Sequence, residues 1–367
     1  MSEDSRTPPA VSVLMAVYNG QSHVRQAVDG ILAQTFQDFE FLIVDDGSTD
    51  ETSRLLDEYA APQIVRLRHE KNRGLIAALN TGLAAARGEF VARQDADDFS
   101  YPDRLRIQVD FLRSRPEVAL VGSDSVFEPA AGGARTTRVV ERDPLRLAWI
   151  LLFHCPLTHS SILFRRDAIR NLGGYGEDDL FVEDFALWAR VTRSSRVASV
   201  GCPLVIRRRP PESITERHGS EMGRAARRVS LQNLEWITGS SVSVARLDAL
   251  QALLGNRPLS LADAVALETR QLRRVADRVF EDFWARLGDG AASAPEFRRW
   301  AFRWMGKALL RRSHKLLAES AGRSGRERMI GLRLARALTL QAIQMSPAVI
   351  SSRRGASVAL RAIMSRA

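Results

Sequence analysis

Two acidic clusters lie fifty residues apart in this chain, Asp45-Asp46-Gly47-Ser48 and Asp95-Ala96-Asp97-Asp98. Each follows a run that reads as a buried β-strand, Phe39 to Val44 before the first and Glu89 to Arg93 before the second. In an alternating α/β chain, strand-end carboxylates face the crevice where such sheets bind ligands. Crowded carboxylates repel one another unless a cation or hydrogen-bond donors hold them, so the pattern points to a metal-bound, phosphate-bearing ligand. On extended backbone, positions i and i+2 share a side. Asp95 and Asp97 are therefore expected to approach one cation, with Ala96 facing away and Asp98 pointing elsewhere to cap the following turn. Hard oxygen ligands suit Mg²⁺ or Mn²⁺. An isolated Asp-x-Asp ordinarily marks a solvated turn; its position at one strand end, with a second acidic cluster at another, gives it meaning.

A third acidic spot, Glu183-Asp184, opens a short helix after the turn Gly173-Gly174-Tyr175-Gly176. A helix N-terminus favours negative charge, which keeps a carboxylate ionised and able to act as a base, although acidic first turns are common for structural reasons alone. Asp45 and Asp46 end the second strand, where a ribose or base edge lies in a Rossmann-like sheet. Their competing use is helix capping, for which Ser48 is better suited. Arg73, between Asn72 and Gly74, suits a base carbonyl or a phosphate as well as it suits solvent.

These residues need a scaffold, and the pattern supplies one. Strand-like runs at Val11 to Tyr18, Phe39 to Val44, Ile64 to Arg68, Glu89 to Arg93 and Val118 to Phe127 alternate with helical stretches. Those stretches are His23 to Thr35, Ser48 to Tyr59 behind a capping box, Leu75 to Arg87, and Tyr101 to about Arg113. The alternation predicts a mostly parallel, doubly wound sheet. From Leu145 to Arg209 the pattern is less regular, and Leu147 to Phe164 reads as a buried strand and loop. Beyond His218 only helical periodicity remains, with a break at Ala321 to Gly325. The expected organisation is a tail (1–10), an α/β catalytic domain (11–218) and a basic all-helical C-terminal region (219–367).

No Gly-x-Gly-x-x-Gly, no Gly-x-x-x-x-Gly-Lys-Ser/Thr and no His-Glu-x-x-His occurs, which removes the main support for dinucleotide redox chemistry, P-loop hydrolysis and a histidine metal cage. Two cysteines make no disulfide framework, and Met1 to Ala10 lack a signal-peptide pattern, so a cytoplasmic setting is expected. The net charge of +10 is concentrated in the tail: from Arg298 onward there are 16 Lys/Arg against two acids, so the rest of the chain is net acidic. Trp300, Phe302, Trp304 and Leu309-Leu310 are interleaved there with Arg303, Lys307, Arg311, Arg312 and Lys315. That mixture suits either a packed helical subdomain or contact with an anionic membrane surface. No recognised nucleic-acid module accompanies the charge.

Taken together, these stretches resemble the family 2 glycosyltransferases of the GT-A fold, from about Val11 to Thr215. The carriers are the Val11 to Gly20 strand and turn, Asp45-Asp46-Gly47-Ser48-Thr49-Asp50, Asn72-Arg73-Gly74-Leu75, Asn80-Thr81-Gly82 and Ala92-Arg93-Gln94-Asp95-Ala96-Asp97-Asp98. Further carriers are Pro102-x-Arg104-Leu105, His159-Ser160-Ser161, Gly173-Gly174-Tyr175 and Glu183-Asp184-x-x-Leu187-Trp188. Their common order makes the resemblance specific.

The resemblance implies a metal-dependent, inverting, hexosyltransferase-like enzyme that moves a sugar from a nucleotide donor, UDP-sugars being the commonest, to a hydroxyl of a saccharide or lipid-linked saccharide. Polysaccharide, cell-envelope glycan or glycolipid synthesis is the implied setting. Ala16, Tyr18, Asn19, Asp45, Asp46, Asn72 and Arg73 would border the nucleotide. Asp95, Ala96 and Asp97 would hold the diphosphate through Mg²⁺ or Mn²⁺ ligated by the two aspartates. Asp184 would be the general base, with Glu183 beside it, and His159 and Gly174 would lie near the donor sugar or acceptor. Trp188 would pack in the core. Where members carry an aromatic-Arg-x-His-x-x-Ser segment, this chain has Pro210 at the histidine position, so the phosphate-facing role falls to Arg208 or Arg209. Two alternatives are a sugar nucleotidyltransferase, which wants a glycine-rich basic loop that Tyr18-Asn19-Gly20-Gln21 lacks, and a non-catalytic nucleotide-sugar-binding protein.

Overall fold

The computed structural model describes residues 7–129, 133–209, 218–239, 269–288, 293–321, 332, 335–336, 338–340, 342–343, 346–350 and 353–364. The chain divides into two compact units, residues 1–151 with 155–226, and residues 152–154 with 227–367.

The first unit is built on a 9-stranded sheet. β1 (Val11–Val17) and β2 (Phe39–Asp45) are buried along their whole length, as continuous apolar strands in a covered parallel sheet are. β3 (Ile64–Arg68) and β4 (Phe90–Asp95) complete a parallel set in the order β3-β2-β1-β4. The chain moves outward from β1 to β3, then returns to β4 on the other side of β1. That reversal is the switch point at which α/β sheets bind ligands. Register aligns the acids there: Val17 lies opposite Asp45, and Ala16 opposite Asp95.

Beyond β4 the sheet is mixed. β8 (Leu163–Arg165) runs antiparallel to both β4 and β6 (Val118–Pro129), while β9 (Arg196–Arg209) runs parallel to β6. The short strands β5 (Phe99–Ser100) and β7 (Thr136–Arg138) pair antiparallel with β9 and β6. The expectation of parallel pairing therefore holds for β1 to β4 and for β6 with β9, and fails for the short strands β5, β7 and β8.

The helices cover the sheet in the expected places. α1 (Val24–Leu32) buries Val24, Ala27, Val28 and Ile31. α3 (Leu75–Ala85) packs so closely on β1 that a Cβ at Gly82 would fall 2.0 Å from Leu14 Cδ1. α4 (Arg104–Arg113) follows β5. Two expectations change. The stretch predicted as a helix from the Ser48 capping box is only α2 (Thr52–Asp57), because Ser48 Oγ accepts from Asn19 N at 3.0 Å instead of capping. The start of the Leu147 to Phe164 run is helical, α5 (Pro144–Leu151), with Leu147, Trp149, Ile150 and Leu151 buried. An uncharged run cannot by its period alone distinguish a buried helix from a strand.

The second unit is helical over its described residues, with Thr269–Leu287, Ala294–Ala321 and Arg353–Met364 as its longer helices after Gly219–Thr238. Its aromatic residues face inward. Phe283 stacks on Phe297 at 5.6 Å, and Trp304 lies 5.7 Å from Phe153 and 5.8 Å from His154. Phe302, Leu309 and Leu310 are buried, whereas Arg303, Lys307 and Lys315 are exposed. No helix among the described residues is long and apolar enough to cross a membrane. Most of the expected break at Ala321 to Gly325 lies outside the described residues.

Candidate active site

Three loops at the ends of β1, β2 and β3 are tied together by side chains that sequence reasoning assigned to a ligand. Asn19 Oδ1 accepts from Thr49 N at 2.9 Å, and Thr52 Oγ1 accepts from Gly20 N at 2.8 Å. Asp46 accepts from Arg73 N at 2.9 Å and Gly74 N at 2.8 Å, with His69 Nδ1 at 2.6 Å. Asp45 accepts from Ser48 N at 2.8 Å and from Ser53 Oγ. Both carboxylates are nearly inaccessible, 1% and 3% exposed, and work as internal clamps. The expected contact of these two acids with a base or ribose would come in addition to this internal use. Gly74, at φ 91, takes the left-handed turn that brings its N–H to Asp46, and Asn72 Oδ1 accepts from the same N–H at 3.1 Å. The Tyr18 ring is 47% exposed and the Arg73 side chain is also exposed, so these two remain open to a ligand beside Ala16.

Asp95 is the last residue of β4, and Ala96-Asp97 form a turn closed by Asp98 N donating to Asp95 O at 3.3 Å. The extended i, i+2 geometry expected of the pair is therefore absent, because the strand ends one residue too early. The turn still keeps the two acids together electrostatically. Against burial, which pushes it up, the Arg93 guanidinium with His159 and Ser160 holds Asp95 down at about 2. Burial and the charge of Asp95 push Asp97 up to about 6. The Asp97 carboxylate has no side-chain partner among the described residues.

Asp98 does not point away as expected. It is buried, its Oδ1 accepts from Arg208 N at 3.0 Å, and its Oδ2 lies 2.5 Å from Ser160 Oγ. Ser160 Oγ also lies 2.5 Å from Asp95 Oδ2. A hydroxyl has one proton to donate. Ser160 therefore bridges the two carboxyls, and burial with the charges of Asp95 and Asp97 pushes Asp98 up to about 8.

Beneath this motif sits a polar layer that the sequence reading left without roles. Gln94 Nε2 donates to the carbonyls of Asp95 and Asp98, both at 2.9 Å. Arg104, fully buried, donates to Gln94 Oε1 at 3.0 Å, to Arg93 O at 2.6 Å and to Ile162 O at 3.1 Å. The Pro-x-Arg-Leu segment was visible as a motif, but nothing in the sequence said that its arginine is a strut.

The third acidic spot reaches the same place. Glu183 and Asp184 open α7 (Glu183–Val191), after Phe181 at φ 70. Asp184 Oδ1 accepts from Phe185 N at 2.6 Å. Its carboxyl is raised by burial and by the charge of Asp95, and drawn back by Phe185 N–H and by Arg207 and Arg138. Burial and Asp184 push Glu183 up to about 8. His159 Nε2 lies 3.1 Å from Tyr175 Oη, and its Nδ1 3.9 Å from Glu183 Oε1. Burial and Arg93 push His159 down to about 3, leaving a neutral ring. Asn80 clamps Tyr175 on both sides, accepting from its N–H at 3.0 Å and donating to its carbonyl at 2.9 Å. Gly174, at φ 72, brings the turn against Asn80. Trp188 is buried, as expected of a core residue.

Arg207 joins Arg93 in facing the acids; of the two arginines expected there, Arg208 turns its side chain elsewhere and the Arg209 side chain lies outside the described residues. Arg207 lowers the carboxyls of Asp95, Asp97 and Asp184. Arg208, one residue on and therefore on the opposite side of β9, donates to Glu128 at 3.1 Å and to Gln26. Position 210 and the Pro210 to Thr215 segment lie outside the described residues.

The donor set suits a hard divalent cation. Two carboxylates stand at the switch point, one of them unpartnered and raised by its neighbour, and Mg²⁺ typically takes one or two carboxylates with ligand phosphates. Among the described residues no cluster of three or more metal-ligating side chains exists, so the remaining ligands would come from substrate and water.

The description "Glycosyl transferase family 2" matches residues 12–173. AmsE, the amylovoran biosynthesis glycosyltransferase of Erwinia amylovora, is 31% identical over 58% of this chain and 77% of its own length. A Bacillus subtilis protein named "Putative glycosyltransferase EpsE" is 36% identical over 50% of this chain, and the matched segment spans 66% of that relative. Among solved structures, the mannosyltransferase PcManGT from Pyrobaculum calidifontis, in complex with GDP-Man and Mn²⁺, aligns over 99% of this chain and 86% of its own at 18% identity and a TM-score of 0.49. At that score the likeness is a resemblance and nothing more.

Proposed function

The chain belongs to glycosyl transferase family 2, and from that premise we propose that it transfers a sugar from a nucleotide-sugar donor to a hydroxyl acceptor with inversion at the anomeric carbon. The observation that supports this reading is the approach of α7 to the acidic turn: Glu183 Oε1 lies 3.9 Å from His159 Nδ1, and the next residue, Ser160, places its Oγ 2.5 Å from Asp95 Oδ2.

Each residue then has a task. Tyr18 and Arg73, exposed at the rim, receive the base and ribose. Asp95 and Asp97 would hold Mg²⁺ or Mn²⁺, which when bound would offset charge on the diphosphate. Arg207 faces the same phosphates from β9. Asp184, raised by burial and therefore a stronger base than an exposed aspartate, takes the acceptor hydroxyl's proton as that oxygen attacks the anomeric carbon. The bond to the nucleoside diphosphate breaks on the opposite face. Glu183 and the neutral His159 shape the acceptor side by hydrogen bonding. Positioning and fixed charge supply most of the rate enhancement.

We place the acceptor among saccharides or lipid-linked saccharides in a biosynthetic setting of the kind AmsE's name states. UDP-sugars are the first donors to test. Thermal-shift screening of nucleotide sugars with Mn²⁺, followed by donor hydrolysis without acceptor, tests the reading. Neither stabilisation nor turnover across UDP-, GDP- and dTDP-sugars would overturn it.

A further inference from the structure

Two non-glycine residues among those described take a positive φ, Asn19 at 50 and Phe181 at 70. Asparagine tolerates that region, and Asn19 Oδ1 accepts from Thr49 N at 2.9 Å there. A bulky aromatic residue does not, because its Cβ is pressed toward the carbonyl oxygen that follows. Such a conformation persists only where the surroundings over-determine it, and it clusters at sites of function. Phe181 stands three positions before Asp184, between the 3-10 turn Glu177–Asp179 and α7.

Its neighbours show what the conformation achieves. Leu180 is exposed, Val182 is buried, and Val182 N donates to Asp179 O at 3.0 Å. Val182 O then accepts from Ala186 N at 2.8 Å, the bond that opens α7. The left-handed step at Phe181 therefore turns the chain from the exposed Leu180 into the start of the helix that carries Glu183 and Asp184. Asp184 Oδ1 is held from within that same turn by Phe185 N at 2.6 Å, so the direction of the carboxylate follows the backbone of the turn. The half-buried Phe181 ring stacks on the His218 imidazole, with centroids 4.7 Å and planes 20° apart. That imidazole is itself fixed. His218 Nδ1 lies 2.6 Å from Glu221 Oε2, and His218 O accepts from Met222 N at 2.9 Å, at the start of helix Gly219–Thr238. A ring braced on a helix start thus supports the strained residue.

We propose that Phe181 and His218 are positioning residues for the base, their ring stack holding the left-handed turn from which Asp184 projects. The proposal rests on the reading of Asp184 as the base. Both rings act through the direction of the Asp184 carboxylate and not on the reacting atoms.

The test follows hydrolysis of UDP-glucose, GDP-mannose and dTDP-glucose by the full-length protein with Mn²⁺. Water stands in for the acceptor: its oxygen attacks the anomeric carbon, Asp184 takes its proton, and the nucleoside diphosphate leaves with the bonding pair. Donor affinity is measured by calorimetry on the same proteins. Phe181→Leu and His218→Ala are each expected to lower kcat at least about tenfold with donor affinity within about twofold of wild type, since misplacing a catalytic group by about 1 Å can cost about 100-fold. The double variant should be no slower than the slower single variant, because both changes remove one stack. His218→Phe, which keeps a ring to stack on, should hold kcat within about threefold of wild type. His218→Ala, which removes a half-exposed ring, serves if Phe181→Leu does not fold. A stack with a structural role alone would lower the unfolding midpoint and leave kcat unchanged; that result, or additive losses in the double variant, overturns the proposal. Turnover of none of the three donors by wild type would overturn the sugar-transfer reading first and the proposal with it.

Discussion

Arg93 Nη2 lies 2.5 Å from Asp95 Oδ1, and the two residues stand two positions apart on β4, so the strand that ends in the acidic turn also carries the cation that steadies it. Arg93 is 1% exposed. From there it holds Asp95 ionised and helps keep the His159 ring neutral. One buried charge thus bears on both sides of the crevice, adding to burial at His159 and opposing it at Asp95.

Removing that cation leaves Asp95 without its buried partner and in the company of Asp97, Asp98 and Asp184. Arg93→Met is expected to cost about 3 kcal/mol, the scale on which breaking one side of a buried pair destabilises a fold. Urea unfolding measures it. A loss below about 1 kcal/mol would mean that the pair matters little.

The role proposed for Asp184 separates binding from chemistry. Asp184→Asn keeps the shape and the Phe185 contact but cannot accept the acceptor's proton. Transfer should fall at least about 100-fold, the scale of a lost general base, with donor affinity within about twofold of wild type. A large loss of donor affinity would instead make Asp184 a binding residue.

Asp97 gives the site a pH dependence with a definite sign. Its carboxyl, pushed up to about 6, is ionised above that pH and protonated below it. Mn²⁺-dependent donor binding should therefore weaken as pH falls through 6. Asp97→Asn should weaken binding at neutral pH and flatten the dependence between about pH 5 and pH 7. Calorimetry across that range reads both.

The Asp46 clamp joins the loops after β2 and β3 through Arg73 N, Gly74 N and His69. Asp46→Ala removes three contacts to a charged group and is expected to cost about 2–4 kcal/mol. Nucleotide affinity should fall with it through the displaced Arg73. Chemical denaturation and nucleotide titration of the same variant check the two effects together.

The parallel half of the fold was legible because β1 and β2 are largely apolar runs, as strands buried on both faces are, and because β2 and β4 end in acids. The three acidic spots were legible as candidates, but their meeting depends on the register of Ala16 with Asp95 and on the placement of α7, which no local pattern encodes. The Asp95–Asp97 turn was misread because alternation holds only while the strand lasts. The phosphate-facing role was expected of Arg208 or Arg209. The sequence could not show that Arg207 shares it, because the faces of Arg207 and Arg208 are fixed by pairing with Phe127 and Glu128 on a distant strand. Ser160, Asn80 and Arg104 act through partners 65, 95 and 58 positions away, which short-range reading does not reach.

The most direct measurement is calorimetric titration of the nucleotide sugar selected by thermal shift into wild type, Asp97→Ala and Asp184→Asn, each with and without Mn²⁺. Wild type and Asp184→Asn should show the same metal-dependent gain in affinity, and Asp97→Ala should lose it. An unchanged metal-dependent gain in Asp97→Ala would contradict the assignment of the acidic turn to the metal-bound diphosphate.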